Sequence, residues 1–127
     1  MRENSLGKNY SALTKGIYDL GKLYDNIFIP LKTSYFYDII VGKDSSLFKI
    51  KVIYTNTKSP NGVFVATLRK CGKNVLGKIT FQQFDATTAD YVYVSTPKSS
   101  YLIPTVEIKN TRAISLCMFE KFAIIPS

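Results

Sequence analysis

The chain has 127 residues, a formal net charge of +8 and no histidine. Its length suits one domain, and 46% hydrophobic with 20% charged residues is the composition of a globular protein rather than a disordered one. The lack of histidine excludes Ser-His-Asp and Cys-His catalysis, a histidine general base and a histidine-ligated zinc site. Any catalysis must therefore use carboxylates, lysines, tyrosines, backbone groups or a metal ion bound through oxygen.

The positive charge is unevenly distributed. Up to Lys78 there are 13 basic and 5 acidic residues, whereas the remainder of the chain has 4 of each. A basic half favours an anionic partner, with nucleic acid first and an anionic membrane surface second. The alternative is that the lysines serve only solubility.

Cysteine usage and the N-terminus indicate an intracellular protein. Cys71 and Cys117 are too far apart for a CxxC motif, so we expect two reduced thiols that act as packing residues. The N-terminus has no apolar signal-peptide region, and no apolar run is long enough to span a membrane. We therefore expect a cytoplasmic location.

The first predicted element is an amphipathic helix over residues 9–24. Its apolar stripe recurs at spacings of three and four, and consists of Leu13, Ile17, Leu20 and Tyr24. Gly16 and Gly21 lower its helix propensity, so packing must stabilise it, and they allow a strand or a ligand to approach closely.

The rest of the chain is predicted to be rich in strands. Alternating or apolar runs bounded by turn residues predict strands at 27–31, 35–41, 47–54, 62–68, 90–95, 100–104 and 114–119, and residues 122–125 are predicted to be an apolar tail. Residues 90–104 predict a β-hairpin, and residues 82–89 the start of a short helix. This order predicts a single α+β domain over residues 1–127, with a mixed central sheet and the long N-terminal helix on one face.

Asp38 is the first candidate site residue. It lies among apolar residues in a predicted strand, where an unpaired carboxylate facing the core would be costly. It either points to solvent, pairs with a lysine on the next strand, or binds a metal ion or faces DNA at the open end of the sheet.

Lys49 and Lys51 form the second candidate feature. One residue separates them, so both side chains point to the same side of the third strand. If the strands on either side of residues 42–46 form a hairpin, Asp38 also lies on that side. The group is then either a nuclease-like site or a plain cross-strand salt bridge.

Tyrosines among the lysines admit two interpretations. Aromatic rings near basic residues can stack on bases, but half-buried packing in the sheet is the commoner role. The tyrosines on predicted strands are Tyr35, Tyr37, Tyr54, Tyr91, Tyr93 and Tyr101.

Three segments follow one another along the chain: Tyr37-Asp38-Ile39-Ile40-Val41, then Phe48-Lys49-Ile50-Lys51-Val52, then the predicted hairpin of residues 90–104. Their order and spacing resemble the PD-(D/E)XK nuclease superfamily, in particular its small intron-associated homing endonucleases. In that branch a strand like YDLVV carries a metal-binding aspartate, a following strand like IQVKT carries an acid or glutamine and a catalytic lysine, and a late hairpin reads DYFAV…YLIP. The corresponding segments here are residues 37–41, 48–52 or 50–54, and 90–104, and the resemblance spans residues 9–119. It implies a restriction-endonuclease-like core.

The resemblance implies site residues and also shows departures. Asp38 matches the metal-binding aspartate. In one register Lys51 is the catalytic lysine and Lys49 stands at the acid or glutamine position; in the other, Lys51 stands at that position and Ile53 replaces the lysine. Both registers lack the second metal-binding carboxylate, and the expected glutamate of the first helix is also missing near Ala12. A lone aspartate beside ammonium groups binds Mg²⁺ poorly.

These matches and departures predict a DNA-binding protein of nuclease fold with a degenerate site, catalytically impaired or inactive. We expect DNA contacts from Lys8, Lys15, Lys58, Arg69 and Lys70. One alternative is an active Mg²⁺-dependent endonuclease that uses Asp38 and Lys51, with Lys49 completing the site. Another is a structural homodimer module that buries the apolar tail and the edge strands.

Overall fold

A computed structural model of the chain describes residues 5–31, 37–68, 70–73, 79–82, 89–108 and 113–124. Side chains are described for 11–31, 37–68, 89–108 and 113–124. In chain order the helix and strands are α1 (Ser5–Gly21), β1 (Asn26–Phe28), β2 (Ile39–Lys43), β3 (Ser46–Tyr54), β4 (Val65–Thr67), β5 (Lys70–Lys73), β6 (Ile79–Gln82), β7 (Tyr91–Ser95), β8 (Ser100–Pro104), β9 (Ala113–Ser115) and β10 (Ala123–Ile124). Short 3₁₀ helices cover Thr105–Glu107 and Leu116–Phe122.

Six strands form one mixed sheet in the order β1-β2-β3-β7-β8-β10. Its central pair, β3 and β7, is parallel, whereas the other neighbouring pairs are antiparallel. Two further antiparallel pairs, β4–β9 and β5–β6, lie outside this sheet. The predicted α+β class with a mixed central sheet is confirmed.

Each face of β7 packs against a separate apolar core. On one face the helix-side core contains Leu20 of α1 together with Ile39, Val41, Ile50 and Tyr93. On the other, the strand-side core contains Val92 and Val94 with residues of β4, β8 and β9, among them Ala66, Ile103 and Ile114. Side chains alternate between the faces of a strand, so a strand covered on both sides becomes apolar throughout. The helix is thus on one face, as predicted.

Several boundaries differ from the predicted ones. The first strand ends at Phe28, ahead of Pro30, which cannot donate to a β-ladder. β4 is shorter than residues 62–68 because Gly62, at φ 83°, belongs to the preceding turn. The predicted strand at 114–119 is wrong beyond Ser115, where the chain enters a 3₁₀ helix. The short helix predicted within 82–89 falls mostly outside the described residues.

The apolar tail packs on its own chain. Phe119, Phe122 and Ala123 are half-buried against the strand-side core, and β10 pairs with β8. This part of the tail therefore completes the fold, and a homodimer stays a prediction that rests on the edge strands. Cys117 is exposed, so the expectation of two packing cysteines is wrong for this one.

In the described part of the chain, no helix combines the length and the apolar character that a membrane crossing requires.

The helix lies close to the sheet at Gly16. A Cβ atom at this position would lie 3.3 Å from Cε1 of Tyr93, which is tighter than an ordinary contact. The predicted close approach of a strand is confirmed here. One helical turn later, Asp19 receives the only proton of the buried Tyr93 hydroxyl, with 2.6 Å between the oxygens.

Tyr93 thus couples α1 to the centre of the sheet through a polar contact at the edge of the helix-side core. Its hydroxyl also lies 3.1 Å from Ser100 Oγ on the neighbouring strand. Burial, and then the hydrogen bond to Asp19, raise the pKa of Tyr93, so the phenol stays neutral and donates.

We predict that Tyr93→Phe lowers the free energy of unfolding by about 1–3 kcal/mol, because it leaves a partly buried carboxylate without its donor. Urea denaturation measures the change. Tyr18→Phe is the control, since Tyr18 lies on the same helix and is 63% exposed, and it should have little effect. Equal stability of the Tyr93 variant and the wild type would contradict the role of this contact.

Candidate functional site

Asp38 closes the β2–β3 ladder with its side chain. Its N–H donates to Ile50 O at 2.8 Å, and its Oδ2 accepts the N–H of Val52 at 2.8 Å. The carboxylate thus accepts from β3 in place of a main-chain carbonyl, immediately before β2 begins at Ile39. This explains why β2 starts later than the predicted residue 35, although residues 35 and 36 lie outside the described part of the chain.

Lys51 forms a salt bridge with Asp38 across the two strands. Its Nζ lies 3.3 Å from Asp38 Oδ2, and the two side chains are only 14% and 27% exposed. The register that pairs Ile39 with Ile50 places Asp38 opposite Lys51. The predicted contact between Asp38 and a lysine on the next strand is therefore present.

Lys49 lies on the same side of β3 but is exposed. Its Nζ lies 5.4 Å from the centre of the Tyr37 ring, within cation–π range. Because Ile50 and Val52 belong to the helix-side core, Lys49 and Lys51 point away from α1. We call the side of β2 and β3 that carries Asp38, Lys49 and Lys51 the polar face.

Asp90, which was not among the predicted site residues, connects β7 to β3 through hydrogen bonds. Its Oδ2 accepts the N–H of Lys49 at 2.8 Å, and its own N–H donates to Lys49 O at 2.8 Å. Its carbonyl accepts the N–H of Thr105 at 3.0 Å. The signal in the sequence was an acid directly before the apolar strand β7. At that position a carboxylate can accept a main-chain N–H of the neighbouring strand and so add one hydrogen bond to the pairing.

Asp38 and Asp90 cannot share a cation. They accept from Val52 and Lys49, whose nitrogens are three residues apart on β3, roughly 10 Å at the usual strand rise. The two bonds also point to opposite neighbours, β2 and β7. A magnesium ion needs oxygens at about 2.0–2.1 Å from one point.

The described residues therefore do not fit a divalent metal ion. Among them, no group of three or more acids or cysteines is close enough to hold one. Asp38 Oδ2 already accepts the N–H of Val52 and contacts the ammonium group of Lys51. Both contacts compete with a cation for the same lone pairs.

The lysines expected to bind DNA fall on different sides of the sheet. Lys15 lies on the outer surface of α1 beside Ser11, Thr14 and Tyr18. Lys58 follows β3 on the opposite side, with its Nζ 5.0 Å from the centre of the Phe64 ring, which packs on the strand-side core. The backbones of Lys8 and Lys70 lie in α1 and β5, but their side chains and the whole of Arg69 are outside the described residues.

Tyrosines of the sheet serve mainly in packing. Phe48 contacts both Tyr24 and Tyr91, with ring centroids 6.2 and 5.8 Å apart. Burial, followed by its interaction with Tyr91, raises the pKa of Tyr24 to about 12. The packing interpretation is confirmed for Tyr91, Tyr93 and Tyr101, which belong to or border the two cores.

Comparison with known proteins identifies the fold. A scan against protein families finds no match, and a search of curated proteins finds no significant relative. Among solved structures, the chain is similar to a bacterial homing endonuclease, I-Ssp6803I, with a TM-score of 0.74 and 19% sequence identity over 90% of this chain and 78% of that one. The expectation of an endonuclease-like core is confirmed at the level of the fold.

We predict that Asp38→Ala lowers the free energy of unfolding by about 1–3 kcal/mol, because the Val52 N–H and the Lys51 ammonium lose their acceptor. Asp38→Asn should cost less, since an amide oxygen still accepts from Val52. Urea denaturation of both variants measures this order. If the two substitutions cost the same, the hydrogen bond to Val52 does not contribute as described.

Proposed function

We propose that this chain is a DNA-binding protein built on a PD-(D/E)XK nuclease core whose metal site is degenerate. The observation that carries the proposal is that Asp38, in the described part of the chain, belongs to no group of three or more acidic or cysteine side chains that could hold a metal ion. A nuclease of this class would need further oxygen ligands at that point, and the nearby acid Asp90 is directed to the other edge of β3.

The geometry supports one of the two sequence registers. Lys51 faces Asp38, whereas Ile53 packs against the strand-side core. Lys51 therefore corresponds to the lysine of the nuclease motif, and Lys49 to the position of the acid or glutamine. This places a positive charge where the motif has an oxygen ligand.

DNA is the partner that this charge distribution favours. The polar face carries Lys49 and Lys51, and Lys58 follows β3 on the same side of the sheet. Backbone phosphates are the anions that a row of lysines binds without sequence preference. A duplex on this face would not reach Lys15, which lies beyond the helix layer.

We predict that the wild type binds duplex DNA with an affinity that falls steeply with salt. Lys49→Gln with Lys58→Gln should weaken binding and reduce the salt slope by about 2, since each phosphate contact contributes roughly 0.9 to it. Fluorescence anisotropy at four salt concentrations measures both quantities.

Two further variants make this test specific. Lys22→Gln with Lys43→Gln removes the same charge from two exposed lysines on the side of the helix, and should leave the slope unchanged. Lys15→Gln alone probes the helix surface. A loss caused by Lys15→Gln but not by the Lys49 and Lys58 pair would move the interface to α1. Binding that is absent or independent of salt would contradict the DNA role.

We also predict no Asp38-dependent cleavage of plasmid DNA with Mg²⁺ or Mn²⁺. Wild type and Asp38→Asn are compared at equal concentration, with circular dichroism to show that both are folded. Nicking by the wild type that the Asp38 variant has lost would overturn the degenerate site and establish the alternative, an active metal-dependent endonuclease.

A further inference from the structure

A cavity of about 330 Å³ lies on the strand side of the sheet, away from Asp38. It opens beside the turn that follows Lys58 and beside the β7–β8 hairpin turn. Its polar lining consists of Lys58, Lys98, Ser99, Tyr101, Cys117 and Glu120. The volume is at the lower end of the range for small-ligand pockets, about 300–1,000 Å³.

Hydrogen bonds hold the two walls of this cavity in place. In the hairpin turn, Thr96 Oγ1 accepts the N–H groups of Lys98 and Ser99 at 3.2 and 2.9 Å. Thr96 is 2% exposed, so this anchor is buried. In the other turn, the N–H of Gly62 donates to Ser59 O at 2.9 Å. Both lysines therefore project from backbone segments that are already ordered.

The lining favours an anion. Within the described part of the chain, neither Lys58 nor Lys98 lies within ion-pair distance of a carboxylate. Lys58 rests over the Phe64 ring at 5.0 Å, which orients its ammonium without neutralising it. Glu120 opposes an anion, but its Oε1 accepts from the Tyr101 hydroxyl at 3.4 Å, and that hydroxyl accepts from Ser99.

We propose that this cavity is a binding subsite for a phosphate group, held by the ammonium groups of Lys58 and Lys98. The same chemistry serves a backbone phosphate of nucleic acid and a free phosphate ester. Binding of a nucleic-acid phosphate rests on the proposed function, since it requires DNA on the side of the sheet that carries Lys49, where the cavity also opens. Binding of a free phosphate ester does not depend on the proposed function.

Cys117 provides a direct readout, since its exposed thiol lines the cavity. In a Cys71→Ser background, its alkylation by the uncharged reagent iodoacetamide is followed by mass spectrometry. The probes are inorganic phosphate, a nucleoside monophosphate and a DNA duplex, each against sodium chloride at equal ionic strength. At a probe concentration about ten times Kd, alkylation should slow about tenfold by mass action.

Variants test which groups bind the phosphate. Lys58→Gln with Lys98→Gln should abolish the protection by every probe, whereas Lys22→Gln with Lys43→Gln should keep it. Glu120→Gln should strengthen it, because the substitution removes the one opposing charge described in the lining. The compared quantity is the ratio of rates with and without probe, so an altered intrinsic reactivity of Cys117 does not affect the result.

The outcomes separate this inference from the proposed function. If the duplex binds but no probe protects Cys117, the subsite is wrong and the DNA role stands. If inorganic phosphate or the monophosphate protects but the duplex does not bind, the subsite stands, its source is a free phosphate ester, and the DNA role fails. Protection that survives in the Lys58 and Lys98 variant would overturn the assignment of these two lysines.

Discussion

The parallel pairing of β3 with β7 is the constraint on which the rest of the structure depends. Two parallel neighbours cannot be joined by a tight turn, so the chain between Tyr54 and Tyr91 must leave the sheet and return. On that excursion, β4 supplies Ala66 to the strand-side core. The helix covers the opposite face, and β7 is therefore buried on both sides.

As a result, the two faces of the sheet differ in character. Beneath α1 the core is built mainly of apolar side chains, and the buried Tyr93 hydroxyl donates to Asp19. On the other face the core covers β7 and β8, whereas β2 and β3 carry the polar face. Charged side chains can gather there because only one side of β2 and β3 contributes to the helix-side core. The cavity lined by Lys58 and Lys98 opens on this same side of the sheet.

Asp38 and Asp90 show how acids can be structural in a basic protein. Each uses a carboxylate oxygen as a substitute for a main-chain carbonyl, and each does so on a different edge of β3. For Asp38 the nearby Lys51 adds electrostatic attraction in a poorly exposed position. Removing one member of such a pair is costly because the other is left without its partner. The Asp38 carboxylate and the Lys51 ammonium therefore balance each other's charge at this position.

Local pattern was sufficient for the helix, for most strands and for the side of β3 on which Lys49 and Lys51 point, since periodicity depends only on neighbours in the chain. The class of the fold followed from the order of the predicted helix and strands, and the likeness to a homing endonuclease from the order of three weak motifs. Pattern could not show that Lys51 lies opposite Asp38, because this depends on how β2 pairs with β3. It also gave Asp90 no role and treated Lys15 and Lys58 alike, although the sheet separates them. Contacts between residues distant in the chain arise only when the strands pair and the helix packs, and these contacts decide which charges meet.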